Sequence, residues 1–299
     1  MRFRKLEGFE AIRAKEPENA LNELKTQLEE KTAQGTIEFS VTGAKEKNIT
    51  CTTEDTVAEL AEKCDGAADG TKVQYVHIGY PLGVMVPVSG FDRKVGELFG
   101  KTSVMTGSFE LHVFGESACP VDYMGGLLRE LKEESCGRCV LCRMALQQLG
   151  IIFDDAVNGR GRADDKNTVT AIAEAMQLGA HCPFGKAAGA LTQNFAEDFA
   201  DELEDHAKRR VCKAGVCKKY MTYHILGTKC TGCGDCEDVC NDDAITGKKG
   251  FIYMIDTFDC TGCGKCIEEC EEEAIIVAGV KKPKTPDKLT KVGRWKKDY

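Results

Sequence analysis

The chain has 299 residues, a formal net charge of −8 and 17 cysteines. This length allows two or three domains with cores of their own. The acidic balance argues against nucleic acid as a partner, because phosphate recognition needs a basic face. No run approaches the ~18–20 apolar residues of a membrane-spanning helix, and Met1 is followed by a charged segment without the apolar core of a secretion signal. We therefore expect a cytoplasmic protein that makes no membrane contact and whose closely spaced cysteines bind metal.

The first third of the chain predicts a helical segment followed by a small sheet. Residues 1–35 form the N-terminal helical segment, with a helix from about Pro17 to Lys31. Residues 36–117 form the next domain, and its predicted strands are Thr36–Val41, Val73–Ile78 and Phe109–Phe114. Within it, Cys51 and Cys64 flank a predicted helix and are expected to be core residues. His77 and His112 alternate within strand patterns and are expected to be structural.

Residues 118–210 contain the first cysteine motif. Cys136, Cys139 and Cys142 follow one another at intervals of three, and Cys182 comes 40 positions later. Three thiolates on one loop can reach three irons of a cubane cluster, and a distant residue then supplies the fourth ligand. Apolar periodicity predicts helices at Arg143–Val157, Thr168–Leu178 and Lys186–Arg209, with a turn at Gly159–Gly161. We expect a small helical bundle that holds one [4Fe-4S] cluster.

Two nearly identical motifs occupy the domain at residues 211–280. Each has the form Cys-x-x-Cys-x-x-Cys-x-x-x-Cys, the spacing of the bacterial two-cluster ferredoxins, in which the fourth cysteine of each run ligates the other run's cluster. The predicted ligand sets are Cys230, Cys233, Cys236 and Cys270 for one [4Fe-4S] cluster, and Cys260, Cys263, Cys266 and Cys240 for the other. Paired C-x-x-C runs also bind zinc, but the third cysteine of each run favours iron–sulfur clusters, which transfer single electrons.

Five cysteines remain outside these three sets. Cys212 and Cys217, with His206 six residues before the first, can hold a zinc ion, which prefers four ligands in a tetrahedron. The candidates for the fourth ligand are Cys119, His181 and His224. The alternative is that these cysteines are free and pack as small apolar groups.

A basic tail ends the chain. Residues 281–299 carry eight basic and two acidic side chains and the only tryptophan, Trp295. Two interpretations stay open: an arm that docks on an acidic neighbouring subunit through Trp295, or a disordered, solubilising end.

Three parts of the sequence resemble one protein family. Residues 134–143, Glu-Ser-Cys-Gly-Arg-Cys-Val-Leu-Cys-Arg, with Cys182 beyond them, resemble the cluster-binding domain of the NADH-oxidising flavoprotein subunit of respiratory complex I and of NAD-linked hydrogenases. Residues 75–83, Tyr-Val-His-Ile-Gly-Tyr-Pro-Leu-Gly, resemble the glycine-rich loop of the family's ubiquitin-like, β-grasp ligand-binding domain. Residues 212–217 and the two-cluster domain after them resemble the C-terminal extension of bifurcating hydrogenases, and this likeness implies a metal at the joint.

The resemblance implies an α+β multidomain protein: a β-grasp domain, a helical bundle with one [4Fe-4S] cluster, and a two-cluster ferredoxin domain. The family's FMN and NADH domain would lie between the opening helix and the β-grasp domain, but we find no glycine-rich phosphate-binding loop. We therefore expect no flavin site, no NAD site and no catalytic acid, base or nucleophile on this chain.

The function expected on this basis is that of an iron–sulfur electron-transfer subunit in a cytoplasmic NAD(P)H- and ferredoxin-linked oxidoreductase complex, with electron bifurcation as one form of it. The implied partners are a flavoprotein that oxidises NAD(P)H, a thioredoxin-like [2Fe-2S] subunit, and ferredoxin or another low-potential redox protein. Two alternatives stay open: a free-standing polyferredoxin carrier, and a structural subunit whose clusters only stabilise an interface.

Overall fold

The computed structural model describes residues 26–27, 30, 36–42, 47–99, 108–279 and 281–299. The helix predicted from about Pro17 to Lys31 lies almost entirely outside these residues. The chain divides into two units, with the boundary between Arg209 and Arg210. Both units mix strands and helices, as the sequence predicts for an α+β chain. None of the helices in the described ranges is both long and apolar enough to cross a membrane.

The first unit begins with a five-stranded sheet. Its strands are β1 (Ile37–Thr42), β2 (Lys47–Cys51), β3 (Tyr75–Ile78), β4 (Val84–Pro87) and β5 (Glu110–Phe114). They lie in the order β2–β1–β5–β3–β4, with β1 and β5 parallel and the other neighbours antiparallel. Two short helices, α1 (Val57–Glu62) and α2 (Val95–Phe99), lie in the connections. The strands begin within two residues of the three predicted ones.

The two faces of this sheet pack against different layers. Val76 of β3 lies in the apolar core that α1 covers. The next residue, His77, points to the opposite face, where its Nδ1 lies 2.7 Å from the hydroxyl of Tyr123. All four residues of β3 are therefore buried. Cys51 and Cys64 belong to the α1 side of the core, which confirms their predicted burial.

Four long helices follow in the same unit: α3 (Pro120–Glu134), α4 (Val140–Val157), α5 (Asp165–Gly179) and α6 (Pro183–Asp198). The helices predicted from Arg143 and Thr168 are confirmed, although α4 and α5 each begin three residues earlier. Gly125 allows α3 and α4 to pack closely, because an added Cβ there would lie only 3.2 Å from the Cβ of Phe153.

The single helix predicted over Lys186–Arg209 is wrong. Helix α6 ends at Asp198, and a short helix α7 (Ala200–Glu204) and a π-helical turn (Asp205–Arg209) follow. The break falls at Phe199, whose φ of −113° and ψ of 27° are not helical. Its ring stacks on Phe195 at 4.9 Å and meets Tyr75 edge-on at 5.7 Å. The break therefore accompanies the burial of Phe199 in an aromatic core.

The second unit contains two copies of one segment, related by the interval between Cys230 and Cys260. The first copy holds β6 (Thr222–Ile225), α8 (Asp235–Asp238) and β7 (Ile245–Thr246); the second holds β8 (Met254–Ile255), α9 (Lys265–Glu269) and β9 (Ile275–Ala278). Strand β6 pairs with β9, and β7 pairs with β8. The copies therefore exchange strands, which carries the end of each cysteine motif to the loop of the other.

The basic tail packs on the second unit. The Ile252 N–H donates to the Thr290 carbonyl oxygen at 2.9 Å, and the Val292 N–H donates to that of Gly250 at 3.3 Å. A Cβ added to Gly227 would lie 2.7 Å from the nearest carbon of the Trp295 ring. The interpretation of the tail as a disordered end is wrong, because the tail packs on its own unit. Docking of the tail on a neighbouring subunit stays a prediction.

Candidate metal centres

The first candidate centre lies where two helices of the first unit begin. Cys139 directly precedes α4, and Cys182 directly precedes α6. The first turns of helices carry backbone N–H groups without intrahelical partners. The N–H groups of Cys142, His181 and Leu141 bond to the Cys139 sulfur and lower the pKa of its thiol. The chain around Cys182 therefore reaches the loop that carries the other three cysteines.

The four cysteines predicted for this centre influence one another. Burial raises the pKa of Cys142 to about 12, with further contributions from Cys182, Cys139 and Cys136. A buried thiol close to three others fits a bound cation, because a metal displaces the thiol proton and offsets the repulsion between thiolates. Gly185 keeps the centre open, since an added Cβ would lie 3.4 Å from the Cys142 sulfur. The residues present therefore fit an iron–sulfur cluster.

Two cavities in the second unit are each lined by four of the predicted cysteines. The first, with an empty volume of about 530 Å³, includes Cys230, Cys233, Cys236 and Cys270 in its lining. The second, of about 330 Å³, includes Cys240, Cys260, Cys263 and Cys266. In each cavity three cysteines come from one motif and one comes from the other, as the strand exchange requires. The assignment of these side chains as cluster ligands stays a prediction.

The cysteines that raise the pKa of Cys236 and Cys266 include the ones that line the same cavity. Burial raises the pKa of Cys236 to about 12, and the next contributions come from Cys230, Cys233 and Cys270. Burial also raises the pKa of Cys266, with contributions from Cys260, Cys263 and Cys240. Both sets of donors therefore suit a cation for the same reason as the centre in the first unit.

Corresponding glycines in the two motifs have different surroundings. Gly232 and Gly262 have φ values of +72° and +73°, a left-handed conformation that favours glycine. A Cβ added to Gly232 would lie 2.6 Å from the carbonyl oxygen of Phe251, whereas a Cβ added to Gly262 would meet only the ring of Tyr223, at 3.4 Å. The first loop is therefore closely packed, and the second has space beside it.

Sequence reasoning missed the tyrosines beside these loops. Tyr223 donates a hydrogen bond from its hydroxyl to the Gly262 carbonyl oxygen at 3.0 Å. The ring of Tyr253 lies against the other motif, where its hydroxyl is 2.9 Å from the position of a Cβ on Gly234. The signal was available in the repeat, because each tyrosine stands seven residues before the first cysteine of its own motif.

The predicted zinc ligands fall in both units, as two pairs of buried side chains. In the first unit, the Cys119 sulfur lies 3.4 Å from Nε2 of His206. The Nδ1 of His206 lies 2.8 Å from the Glu202 carbonyl oxygen, so Nδ1 carries the proton and Nε2 is left to bind a metal. In the second unit, the sulfurs of Cys212 and Cys217 lie within 4.8 Å of each other.

The other two candidates for the fourth zinc ligand have different surroundings. His181 is exposed beside the cysteine centre of the helical bundle. The Nε2 of His224 lies 2.7 Å from the Thr222 hydroxyl, within β6. Of the three candidates, the structure pairs only Cys119 with a predicted zinc ligand within its own unit.

Two family models match the chain in the regions that carry these centres. Residues 122–206 match the NADH-ubiquinone oxidoreductase-F iron-sulfur binding region, and residues 229–274 match the 4Fe-4S dicluster domain. The chain is therefore an iron–sulfur protein of the electron-transfer class. The predicted resemblance to the iron–sulfur part of the NADH-oxidising subunit is confirmed.

Individual relatives agree with this family. The NADP-reducing hydrogenase subunit HndC of Solidesulfovibrio fructosivorans is 30% identical over 185 residues, which are 62% of this chain and 38% of that protein. The F subunit of the NADH-quinone oxidoreductase of Mycobacterium bovis is 25% identical over 158 residues, 52% of this chain and 36% of that protein. The match thus spans less than two fifths of either relative, and it is the iron–sulfur region of these proteins to which this chain is homologous.

A solved structure shows the same fold over part of the chain. An NAD⁺-reducing [NiFe]-hydrogenase in the H₂-reduced state matches with a TM-score of 0.50 and 21% identity. The match covers 58% of this chain and 29% of that one. At this identity the likeness concerns the fold alone.

Proposed function

We propose that this chain is the iron–sulfur electron-transfer subunit of a multi-subunit NAD(P)H- and ferredoxin-linked oxidoreductase. The observation that carries the proposal is the lining of the two cavities in the second unit, each by three cysteines of one motif and one of the other. A [4Fe-4S] cluster bound in such a set accepts and returns one electron at a time. Together with the bundle centre, twelve cysteines would hold three clusters.

The protein's own residues have a limited task in this function. The cysteine sulfurs bind as thiolates, and backbone N–H groups such as those that bond to Cys139 stabilise the negative charge on sulfur. Burial of Cys142, Cys236 and Cys266 keeps water from one side of each centre. Electron transfer needs no general acid or base, and we assign none.

The sheet of the first unit is proposed to be a β-grasp domain. Its parallel pair of β1 and β5, with α1 packed on one face, supports this assignment. In the proposed complex the domain contacts partner subunits. The partners are a flavoprotein that oxidises NAD(P)H, a thioredoxin-like [2Fe-2S] subunit, and ferredoxin or another low-potential carrier. An electron-bifurcating complex is one form of this assembly. The relationship to a subunit of an NADP-reducing hydrogenase supports a link to NADP(H).

A zinc ion is proposed for Cys119, His206, Cys212 and Cys217. Three sulfurs and one imidazole nitrogen form a common structural zinc set, and all four side chains are buried. We expect Cys212→Ser to lower the zinc content of the purified protein by about one per chain and to leave its iron content unchanged. Cys64→Ser is the control, because Cys64 is equally buried but lies in the core of the sheet. Equal zinc in all three proteins would contradict this site.

The functional proposal is tested by purifying the tagged protein anaerobically from its native host. Iron, zinc and flavin are measured together with the co-purifying chains. We expect about twelve irons per chain, no flavin on this chain, and a flavoprotein bound beside it. Twelve irons on a lone monomer would favour a free polyferredoxin carrier instead. Clusters that dithionite fails to reduce would favour a structural subunit.

A further inference from the structure

The two copies of the repeat differ in how the chain covers them. Just before the first motif the tail contacts the chain at two residues: Gly227, which is buried, and Thr228, which stays exposed but is hydrogen-bonded to the tail. Trp295 packs on Gly227, and Asp298 accepts hydrogen bonds from both the backbone N–H and the hydroxyl of Thr228. Cys233 of this motif is exposed, but the flank of its loop is closed by the chain's own tail.

The same positions in the second copy are open. Phe258 corresponds to Thr228, and its side chain is 94% exposed, the highest value among large apolar residues in the described part of the chain. Gly262 and Cys263 of the adjoining loop are also exposed, whereas Gly232, the counterpart of Gly262, is buried. A large aromatic ring thus stands in solvent beside a predicted cluster ligand. Single exposed apolar residues are common on surfaces, but this one marks the uncovered member of a pair of equivalent sites.

The charge around Phe258 indicates what covers it. Asp256 and Asp259 flank it in sequence, and Asp256 accepts a hydrogen bond from the Phe258 N–H at 2.8 Å. Asp242 lies beside the same loop, where it accepts a hydrogen bond from the Thr261 hydroxyl at 2.6 Å. One cation, Lys265, is present in residues 256–266. An aromatic centre with an acidic rim fits a partner with an apolar patch and basic side chains around it.

We propose that residues 256–263 form the docking surface for a one-electron redox protein whose own centre is surrounded by basic side chains. This inference rests on the proposed function. Cys240, Cys260, Cys263 and Cys266 would hold a cluster that could supply one electron, and that electron would reduce the partner's centre. No proton or atom is transferred, and the reverse transfer obeys the same balance. Docking at Phe258 brings the partner beside Cys260 and Cys263, where the electron has a short path.

The test uses the full-length, cluster-loaded protein and cytochrome c, a basic one-electron protein, as the probe. The protein is reduced with dithionite under anaerobic conditions, separated from excess dithionite by gel filtration, and mixed with oxidised cytochrome c in a stopped-flow spectrometer. We expect the second-order rate constant to fall as ionic strength rises. We expect Phe258→Ala to lower it about tenfold at low ionic strength, and Asp259→Asn to lower it about twofold.

The matched control is Leu289→Ala, which removes another exposed apolar side chain, on the tail of the same unit. It should leave the rate constant unchanged. Electron paramagnetic resonance of each reduced variant checks that the clusters are intact. A Phe258→Ala protein with intact clusters and an unchanged rate would overturn the docking surface. So would a faster reaction with an acidic probe, flavodoxin, at low ionic strength. If the wild type shows no reduced-cluster signal, the proposed function fails and this inference fails with it.

Discussion

The two units place similar sets of thiols on opposite kinds of scaffold. In the first unit the cysteines stand at the ends of helices of 16 and 18 residues, α6 and α4. The cores of those helices are built from aliphatic and aromatic side chains such as Leu149, Phe153 and Phe195. In the second unit the helices have four and five residues, and the buried core contains the predicted ligands Cys236 and Cys266.

The two units therefore differ in what stabilises their folds. We expect the first unit to be stable without a metal, because its sheet and helices bury many large apolar side chains. The main core cluster described in the second unit contains Ile225, Cys236, Ile245, Tyr253, Cys266, Ala274 and Ile275, with further predicted ligands packed against it. We therefore expect this unit to need the binding energy of a metal to remain folded.

Removing all metal should produce the largest difference in stability between the two units. We expect chelation under reducing conditions to unfold the second unit and to leave the helical bundle folded. Hydrogen exchange with mass spectrometry measures both units at once: residues 222–278 should exchange as an unfolded chain, and α4 and α6 should stay protected. Equal protection in both units after metal removal would show that the second core is sufficient by itself.

Substituting one predicted ligand in each unit tests the same difference in metal dependence. We expect Cys182→Ser to lower iron by about four per chain with no loss of helical circular dichroism, because the bundle keeps its core. Cys270→Ser should lower iron and also expose residues 222–278 to proteolysis. Cys64→Ser is the control for substitution of a buried cysteine, and it should retain all iron. Loss of helical structure in the Cys182→Ser protein would contradict the assignment of a metal-independent bundle.

The sequence predicted the local features of both scaffolds better than their long-range ones. The spacing of the cysteines grouped three thiols of each centre, because that spacing is a property of a short loop, and the fourth thiol came from the resemblance to known cluster-binding motifs. The strands beginning near Ile37 and Tyr75 followed from apolar alternation. The end of α6 at Asp198 could not be predicted, since the sequence stays helix-prone there and the break accompanies packing of Phe199 on Tyr75, more than a hundred residues away.

The tail shows a second limit of sequence reasoning. Its many lysines suggest a solvated arm, and composition alone gives no reason to expect Trp295 against its own unit. The contact depends on Gly227, which leaves room for the ring. Likewise, the pairing of Cys119 with His206 at 3.4 Å joins residues far apart in sequence, and the sequence left Cys119 as one of three candidates.

Glycine substitutions compare the two copies within the second unit. Alanine at either Gly232 or Gly262 has to adopt a left-handed backbone, at a cost of about 1–2 kcal/mol. Gly232→Ala also forces its Cβ to 2.6 Å from the Phe251 carbonyl oxygen, so we expect a further loss of about 1–3 kcal/mol. Thermal unfolding of the two cluster-loaded variants measures the difference. A lower midpoint for Gly262→Ala than for Gly232→Ala would contradict the unequal packing of the loops.

The smallest effect concerns a residue that stabilises the first unit without metal. His77 is fully buried, donates from Nε2 to the Leu82 carbonyl oxygen at 2.5 Å and accepts the Tyr123 hydroxyl hydrogen at Nδ1. Burial lowers the pKa of His77 from 6.5 to about 3, with a smaller contribution from His112. Between these two values the unfolded chain binds a proton that the folded chain does not, so stability is present above pH 6.5 and is lost as the pH falls.

For the metal-free protein we expect His77 to lower the free energy of unfolding of the first unit by about 2 kcal/mol between pH 7 and pH 5. Urea unfolding followed by circular dichroism measures this, because the second unit is expected to be unfolded already. Carboxylates also titrate in this range, so the comparison is with His77→Gln, which should show a weaker pH dependence by the same amount. Identical pH dependence in both proteins would mean that His77 is protonated without cost. The stability of the first unit would then have another origin than the buried, neutral contacts that set it apart from the metal-dependent second unit.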